Sequence, residues 1–226
     1  MNGGMTSASA ARGAPVLVTG FEPFGGDDFN PSWAVAQALE GRCLGGVPVV
    51  AQQLPCVFAT SGQVLDAAMR RHRPALVIAL GLAASRSALS VERVAINLID
   101  ARIADNAGVQ LTDEPVRAGA RNAYFARLPV KAMVAALQAD GVPAELSFSA
   151  GSFVCNQVFH HLMWRLARRP GVRGGFIHLP PAAEHLPAAF SGRPMPLADQ
   201  VRGVARAIEV ALSTVDDARH VGGQVD

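Results

Sequence analysis

The feature that most constrains the fold is the repeated succession of a short apolar run, a turn and an amphipathic stretch. Val16–Thr19 is closed by Gly20, and Leu76–Leu80 is closed by Gly81. Short apolar and β-branched runs of this kind are typical of strands buried on both faces of a sheet. Their alternation with helical patterns predicts an α/β fold, in which helices cover both faces of a mainly parallel sheet.

The same patterns predict the remaining elements. Further strands are expected at 47–54, 144–148 and 174–179, and helices at 31–40, 58–72, 130–139, 152–169 and 197–212. Asn30 is a candidate helix N-cap, because Pro31 then occupies the first helical position. Residues 93–103 are expected to be extended and to form a hairpin outside the regular alternation, and residues 104–121 to form a loop.

Length and composition favour one domain. The chain has 226 residues and half of them are hydrophobic, which suffices for a single sizeable core. We expect a single α/β domain over 15–215, a disordered lead-in over 1–14 and a frayed tail over 216–226. The loop that ends at Pro196 is rich in proline and alanine, and we expect it to be mobile.

Charge and hydropathy exclude two classes of partner. The formal net charge is +2, from 20 basic and 18 acidic side chains that are interspersed along the chain, so nothing resembles a nucleic-acid footprint. No apolar window approaches the length of a membrane span, and the N-terminal segment lacks the apolar core of a signal peptide. We therefore expect a cytoplasmic protein that acts on a small, weakly charged substrate.

The three cysteines indicate a reducing compartment. Cys43, Cys56 and Cys155 lie far apart, without a C-x-x-C or a Cys/His metal-binding spacing. An odd number of isolated cysteines fits free thiols better than it fits disulfides.

Cys155 is the first candidate for chemistry. It lies at the start of the helix predicted at 152–169, directly after a predicted strand. Free backbone N–H groups and the helix dipole favour an anion at this position, so the thiol is expected to ionise more easily than a free one. The competing interpretation is a buried cysteine that acts only as a small hydrophobe.

His178 is the best imidazole partner for Cys155. It ends the strand that follows the Cys155 helix, and in a right-handed strand–helix–strand unit that strand lies parallel and adjacent to the first. The two side chains are then expected to meet; the alternative is a structural histidine. The chain contains no Gly-x-Ser-x-Gly elbow, Walker loop or HExxH motif, so serine hydrolases, phosphate-loop enzymes and zinc proteases lack support.

Several blocks of sequence together resemble one family, pyroglutamyl peptidase type I, also called pyrrolidone-carboxylate peptidase. The resemblance extends over about 16–212, in the order and spacing of the family. The blocks that carry it are 16–26, with Gly-Phe-Glu-Pro-Phe-Gly-Gly at its end, Asn30-Pro31-Ser32, Glu92-Arg93-Val94-Ala95-Ile96-Asn97, Asp100-Ala101-Arg102-Ile103, 150–156, with Val-Cys-Asn at its end, and 175–180, which contains His178.

The resemblance implies a three-layer α/β/α sandwich and a catalytic triad of Glu92, Cys155 and His178. The family removes an N-terminal pyroglutamyl residue from peptides and uses no metal or cofactor. Its members are often oligomers, so the resemblance also implies a homo-oligomer. The alternative, non-catalytic interpretation of Glu92 is a surface carboxylate next to Arg93.

The resemblance also implies a set of substrate-binding positions. Phe21 and Phe24 would supply flat walls for the pyroglutamyl ring. Arg102 and Asn30 would support the oxyanion or the surrounding loop, with structural bracing as an equal alternative. The remaining implied positions are Cys56, Leu82, Ile103, Phe153 and Val154.

The chain departs from the family pattern at two of these positions. Leu82 stands in Gly-Leu-Ala-Ala-Ser-Arg where the family has Gly-Gln-Ala-Gly-Gly-Arg, and Cys56 stands in Pro-Cys-Val-Phe where the family commonly has Pro-Thr-Val-Phe. Both changes remove hydrogen-bonding capacity, which can reduce turnover of a lactam by orders of magnitude. Two alternatives therefore stay open: a thiol hydrolase for another small N-terminal acyl or cyclic amide, and a non-catalytic binding protein on the same fold.

Overall fold

The computed structural model describes residues 13–186, 193–219 and 221–223, and strands and helices alternate along them. The strands are β1 (Val16–Phe21), β2 (Cys43–Leu44), β3 (Val47–Leu54), β4 (Leu76–Leu82), β5 (Leu89–Glu92), β6 (Val94–Ile96), β7 (Ala123–Phe125), β8 (Ala144–Ser147) and β9 (Arg173–Leu179). The helices are α1 (Pro31–Leu39), α2 (Ser61–His72), α3 (Val130–Ala139), α4 (Val154–Leu166) and α5 (Leu197–Ser213).

The main sheet is mixed and has the order β2-β3-β1-β4-β9-β5-β8. Strands β3, β1, β4 and β9 form a parallel block, in which β1 and β4 are buried along their whole length. Strands β5 and β8 are parallel to each other, but β5 is antiparallel to β9. The predicted α/β fold with a mainly parallel sheet is confirmed.

The helices form two layers around this sheet. Helices α1, α3 and α5 pack together on one face, and α2 and α4 pack together on the other. Glycines on the central strands show how close these layers lie: a Cβ built on Gly20 would meet Ser32 of α1, and one built on Gly81 would meet Cys155 of α4. The three-layer sandwich implied by the family resemblance is therefore present.

The start of α1 confirms the predicted cap. Asn30 accepts the Ser32 N–H at 3.0 Å, and Pro31 is the first helical residue. The Ser32 hydroxyl donates to Asn30 and accepts the Phe21 N–H at 2.9 Å. This network ties the start of α1 to the end of β1, where Phe21 lies.

The prediction that the strands before and after the Cys155 helix lie side by side and parallel is wrong. Strand β5 separates β8 from β9, and because β8 is parallel to β5 and β5 antiparallel to β9, β8 runs opposite to β9. Strand β5 was not predicted; it is four residues long, and its place depends on pairing with distant parts of the chain. The predicted hairpin over 93–103 is also corrected, because β6 pairs with the distant β7.

The structure describes the two ends of the chain only in part. The N-terminal lead-in expected over 1–14 lies, except for residues 13 and 14, outside the described residues, as do 187–192 of the loop expected to be mobile. The tail is docked at least at Asp217, which accepts the N–H groups of Lys131 and Ala132 at the start of α3. Within the described part of the chain, none of the helices has the length and apolarity that a membrane crossing requires.

Candidate active site

The start of α4 brings Cys155 onto the sheet at Gly81. A Cβ built on Gly81 would lie 2.8 Å from the Cys155 Sγ, so the sulfur occupies space that any side chain at Gly81 would fill. On the neighbouring strand β9, the partner of Gly81 is His178. Because partners in a parallel pair point to the same face, His178 points toward the α4 side, where Cys155 lies. Cys155 and His178 therefore lie on the same face of the sheet, each beside Gly81.

Glu92 and His178 form a buried pair. The Nδ1 atom of His178 lies 2.7 Å from Oε1 of Glu92, and both residues are almost fully buried. Burial raises the pKa of Glu92, but hydrogen bonding and charge from His178, with the charge of Arg86, outweigh it and lower the pKa overall. An ionised Glu92 requires the proton on Nδ1, which leaves Nε2 as the basic nitrogen of the ring.

The expected ease of ionisation of Cys155 is wrong for this site without substrate. Although part of its surface is exposed, desolvation raises the pKa of the Cys155 thiol, and the nearby Cys56 and Glu92 raise it further. Arg86 acts in the opposite direction without reversing the shift. Burial therefore outweighs the helix start, so the thiol needs a base that accepts its proton.

Aromatic rings cluster at the start of the Cys155 helix. Phe153, the residue before α4, has its ring centroid 6.1 Å from that of Phe24 and 5.3 Å from that of Phe58, which it meets edge-on. Phe21 follows Gly20 on β1, and because Gly20 faces α1, alternation turns Phe21 toward the Cys155 side. The structure brings Phe24 and Phe58 against Phe153 and places Phe21 on the same side of the sheet.

Asn30 and Cys56 are held by loop contacts. The Asn30 amide donates to the Glu22 carbonyl at 3.0 Å while its oxygen caps α1, so both ends of the amide are engaged. The Cys56 N–H donates to the Glu22 carboxylate at 3.0 Å, and burial raises the pKa of Cys56 to about 12. The bracing interpretation of Asn30 accounts for every contact that it makes here.

Three other predicted residues differ in exposure. Val154 is fully buried in the core at the start of α4. Arg102 and Ile103 are exposed, and Arg102 has no hydrogen-bond or ion-pair partner among the described residues. The nearest side-chain atom to a Cβ built on Gly25 is Cδ1 of Ile103, at 3.9 Å. Ile103 therefore lies beside the loop that carries Phe24.

Leu82 does not join this group. Its neighbour Gly81 faces Cys155, so alternation along β4 turns the Leu82 side chain to the opposite face of the sheet. There it lines a cavity of about 280 Å³ together with Pro31 and Pro181. In this position the Leu82 side chain does not face the thiol, so the exchange of a polar residue for leucine here removes no hydrogen bond from beside Cys155.

Sequence reasoning missed two residues that organise the site. The Asn156 side chain accepts the Ile96 N–H at 3.0 Å and donates to the carbonyls of Ile96 and Leu98, both at 2.9 Å. It thereby fixes the segment that leads to Arg102. Arg86 contacts Glu92 directly. Two signals were available in the sequence: the amide directly after the nucleophile, and the arginine that Gly-Leu-Ala-Ala-Ser-Arg shares with the family pattern.

A thiol at a helix start, an imidazole and a buried carboxylate, assembled at one edge of an α/β/α sandwich, are the attributes of a cysteine peptidase. Comparison with known proteins gives the family. The family model described as pyroglutamyl peptidase matches residues 14–214, and the chain belongs to this family.

Curated relatives match nearly the whole chain. The pyrrolidone-carboxylate peptidase of Cupriavidus taiwanensis is 52% identical, and the match covers 93% of this chain and 98% of that protein. The corresponding protein of Klebsiella pneumoniae is 49% identical with the same coverage.

Solved structures agree with the fold. The pyroglutamyl peptidase I of Bacillus amyloliquefaciens matches with a TM-score of 0.87 and 40% identity, covering 91% of this chain and all of that one. The pyrrolidone carboxyl peptidase of Thermococcus litoralis matches with a TM-score of 0.87 and 34% identity, covering 92% of this chain and 99% of that one.

Proposed function

We propose that this protein removes the N-terminal pyroglutamyl residue from peptides by a cysteine-dependent mechanism. The observation that carries the proposal is the placement of Cys155 over Gly81. The strand partner of Gly81 is His178, which is hydrogen-bonded to Glu92. Membership of the pyroglutamyl peptidase family supplies the substrate class.

In the first half-reaction, Cys155 is the nucleophile. Its sulfur attacks the pyroglutamyl carbonyl carbon while the thiol proton passes to Nε2 of His178, because burial disfavours a free thiolate. The first N–H groups of α4 have no partner within the helix and can donate to the oxyanion. The amine then leaves with the proton from Nε2, and a thioester remains on Cys155.

In the second half-reaction, water replaces the peptide. His178 takes a proton from water as the oxygen attacks the thioester carbon, and the proton returns to sulfur as pyroglutamate leaves. Glu92 accepts a hydrogen bond from the Nδ1 N–H throughout, which fixes the ring and stabilises its charged form. No metal or cofactor is required by these steps.

The aromatic residues provide a site for a flat, neutral ring. Phe21, Phe24 and Phe153 lie on the Cys155 side of the sheet, and planar apolar walls suit a lactam ring. Arg102 is exposed, which leaves its guanidinium available to the substrate. Ile103 and Cys56 belong to the loops beside these walls, and Val154 supports them from the core.

The test uses a pyroglutamyl-aminocoumarin amide, with prolyl and glutamyl amides as specificity controls. Release from the pyroglutamyl amide alone, abolished in Cys155→Ala, is the expected result. Equal release by Cys155→Ala would refute the cysteine mechanism, and absence of release by the native protein would refute the substrate assignment. Preference for a different N-blocked amide would favour the altered-specificity alternative.

We also propose a reducing cytoplasm as the site of action and a homo-oligomer as the working form. The three cysteines are free thiols, and the reaction requires Cys155 in that state. Light scattering of the purified protein would test the oligomeric state directly.

A further inference from the structure

The guanidinium of Arg86 joins two parts of the site. Its Nη1 donates to Oε1 of Glu92 at 2.7 Å, and its Nη2 donates to the carbonyl of Ser149 at 2.7 Å. Glu92 ends β5, and Ser149 lies in the loop that leads to Cys155. One planar fork therefore connects the carboxylate with the nucleophile loop, a geometry that guanidinium provides and ammonium does not.

The contact with Arg86 also compensates the negative charge of Glu92. Its Oε1 accepts hydrogen bonds from both Arg86 and His178, while its Oε2 is buried and has no hydrogen-bond partner among the described residues. A buried carboxylate is unfavourable unless a charge compensates it. Arg86 is the permanent cation in this contact, because the charge of His178 changes during the reaction.

The two segments that Arg86 connects, its own loop and the loop before Cys155, are each held by further hydrogen bonds. The Arg86 N–H donates to the Ala83 carbonyl at 3.0 Å, and the Ala83 N–H donates to the Leu179 carbonyl at 2.9 Å, next to His178. In the loop before Cys155, the Ser152 hydroxyl donates to the Asp100 carbonyl at 2.7 Å. The Arg86 fork thus acts between backbone segments that are themselves anchored.

We propose that Arg86 is a positioning residue, which holds Glu92 as a carboxylate and fixes the loop before Cys155 in its reactive arrangement. The inference rests on the proposed function, since it assigns Arg86 a role in the same reaction. It requires both the charge and the two-pronged geometry of the guanidinium. Replacements that keep only one of these separate the two contributions.

Two variants make this separation. Arg86→Lys keeps the charge but cannot form the fork, and Arg86→Gln keeps a donor but loses the charge. Arg93→Gln is the matched control, because Arg93 follows Glu92 in sequence but stacks 5.0 Å from the Phe125 ring centroid. For each variant, kcat/KM for the pyroglutamyl-aminocoumarin amide and the rate of Cys155 labelling by iodoacetamide are measured against pH. Thermal unfolding verifies that each variant is folded.

Without the cation, Glu92 takes up a proton at higher pH, and the neutral carboxyl group no longer stabilises the charged form of His178. Arg86→Gln is therefore expected to move the acid limb of both profiles upward by about one pH unit and to lower kcat/KM roughly 10- to 100-fold near neutral pH. Arg86→Lys is expected to keep the acid limb but to lower kcat/KM. Arg93→Gln is expected to match the native protein in both respects.

An unshifted acid limb in Arg86→Gln, or native kcat/KM in Arg86→Lys, would overturn the proposal. If Arg86→Gln does not fold, Arg86→Lys decides alone: a native limb with reduced kcat/KM supports the proposal, and any other result overturns it. If the native protein releases no aminocoumarin, the proposed function fails separately. The labelling profiles of Cys155 then still decide the role of Arg86.

Discussion

Gly81 and Cys155 are matched in space: a Cβ built on Gly81 would lie 2.8 Å from the Cys155 Sγ and equally close to the Phe176 ring. Because Gly81 has no side chain, the start of α4 approaches β4 beside His178, the strand partner of Gly81. The geometry of the nucleophile therefore depends on a residue that carries no functional group.

Gly81→Ala should displace either the sulfur or the Phe176 ring. We expect kcat/KM to fall roughly 100-fold, since a shift of about 1 Å in a reacting group has an effect of this size. Unfolding free energy should fall by about 1–3 kcal/mol through overpacking. Gly171→Ala is the control, because a Cβ there meets nothing within 4 Å. Native kinetics in Gly81→Ala would show that Cys155 is not positioned by this contact.

Labelling of Cys155 should depend on His178. Since burial raises the pKa of Cys155, the thiol form prevails near neutral pH and alkylation requires proton transfer to the imidazole. In His178→Ala we expect the labelling rate to be low near neutral pH and to rise steadily toward alkaline pH. The exposed Cys43 serves as an internal standard whose rate is the same in both proteins. Equal Cys155 rates in the two proteins would exclude His178 as the proton acceptor.

Strands that depend on local patterns were predicted well, and strands that depend on distant pairing were not. The runs that form β1 and β4 are apolar along their length, and the cap at Asn30 uses only neighbouring residues. The direction of β8 relative to β9 was missed because it is set by β5 between them. Cys155 and His178 were expected to meet because β8 and β9 were taken as neighbours. That premise is wrong, and it is the pairing of β4 with β9 that places both residues beside Gly81.

The chemistry of the site depends on burial and on facing directions, which a linear sequence does not encode. The helix start suggested an easily ionised Cys155, but enclosure reverses the direction of its pKa shift. Leu82 was expected beside the substrate, but alternation along β4 turns it away. Arg86 was passed over because its contact with Ser149, 63 residues along the chain, depends on the folded arrangement, and the nearby Glu92 gave no sign of facing it.

Restoring the family residue should affect the kinetics differently at Leu82 and at Cys56. Leu82→Gln should change kcat/KM less than about threefold, because this buried side chain lines a cavity on the opposite face of the sheet from Cys155, and a change away from the reacting atoms has little effect on the chemical step. Cys56→Thr alters a buried residue close enough to Cys155 to influence its pKa, so it should change KM more than Leu82→Gln does. Steady-state kinetics of both variants test this order, and the reverse order would contradict the assigned faces of β4.

Asp66 offers a stability test away from the site. It is paired with Arg165 and lies 3.1 Å from His161; although burial raises its pKa, these partners lower it overall. A lowered pKa in the folded state gives stability that is present above the unfolded pKa and is lost as pH falls through the folded value. Asp66→Asn should therefore reduce unfolding free energy by about 1–3 kcal/mol at neutral pH, and the difference should shrink below about pH 4.

The control for Asp66 is Asp199→Asn, which removes an exposed carboxylate paired with Arg202 at 3.2 Å. Exposed pairs contribute little, so its effect should stay within about 0.5 kcal/mol. Denaturant unfolding at several pH values measures both variants. A difference between native protein and Asp66→Asn that stays constant with pH would contradict the assigned ionisation.

The central claim is that Cys155 carries the pyroglutamyl group between the two half-reactions. Rapid acid quenching during turnover of the pyroglutamyl-aminocoumarin amide, followed by peptide mass spectrometry, measures it most directly. The account predicts a mass increase of one pyroglutamyl group on the peptide that contains Cys155, absent from Cys155→Ala and labile to hydroxylamine. Turnover with that peptide unmodified, or with the group on a different residue, would contradict it.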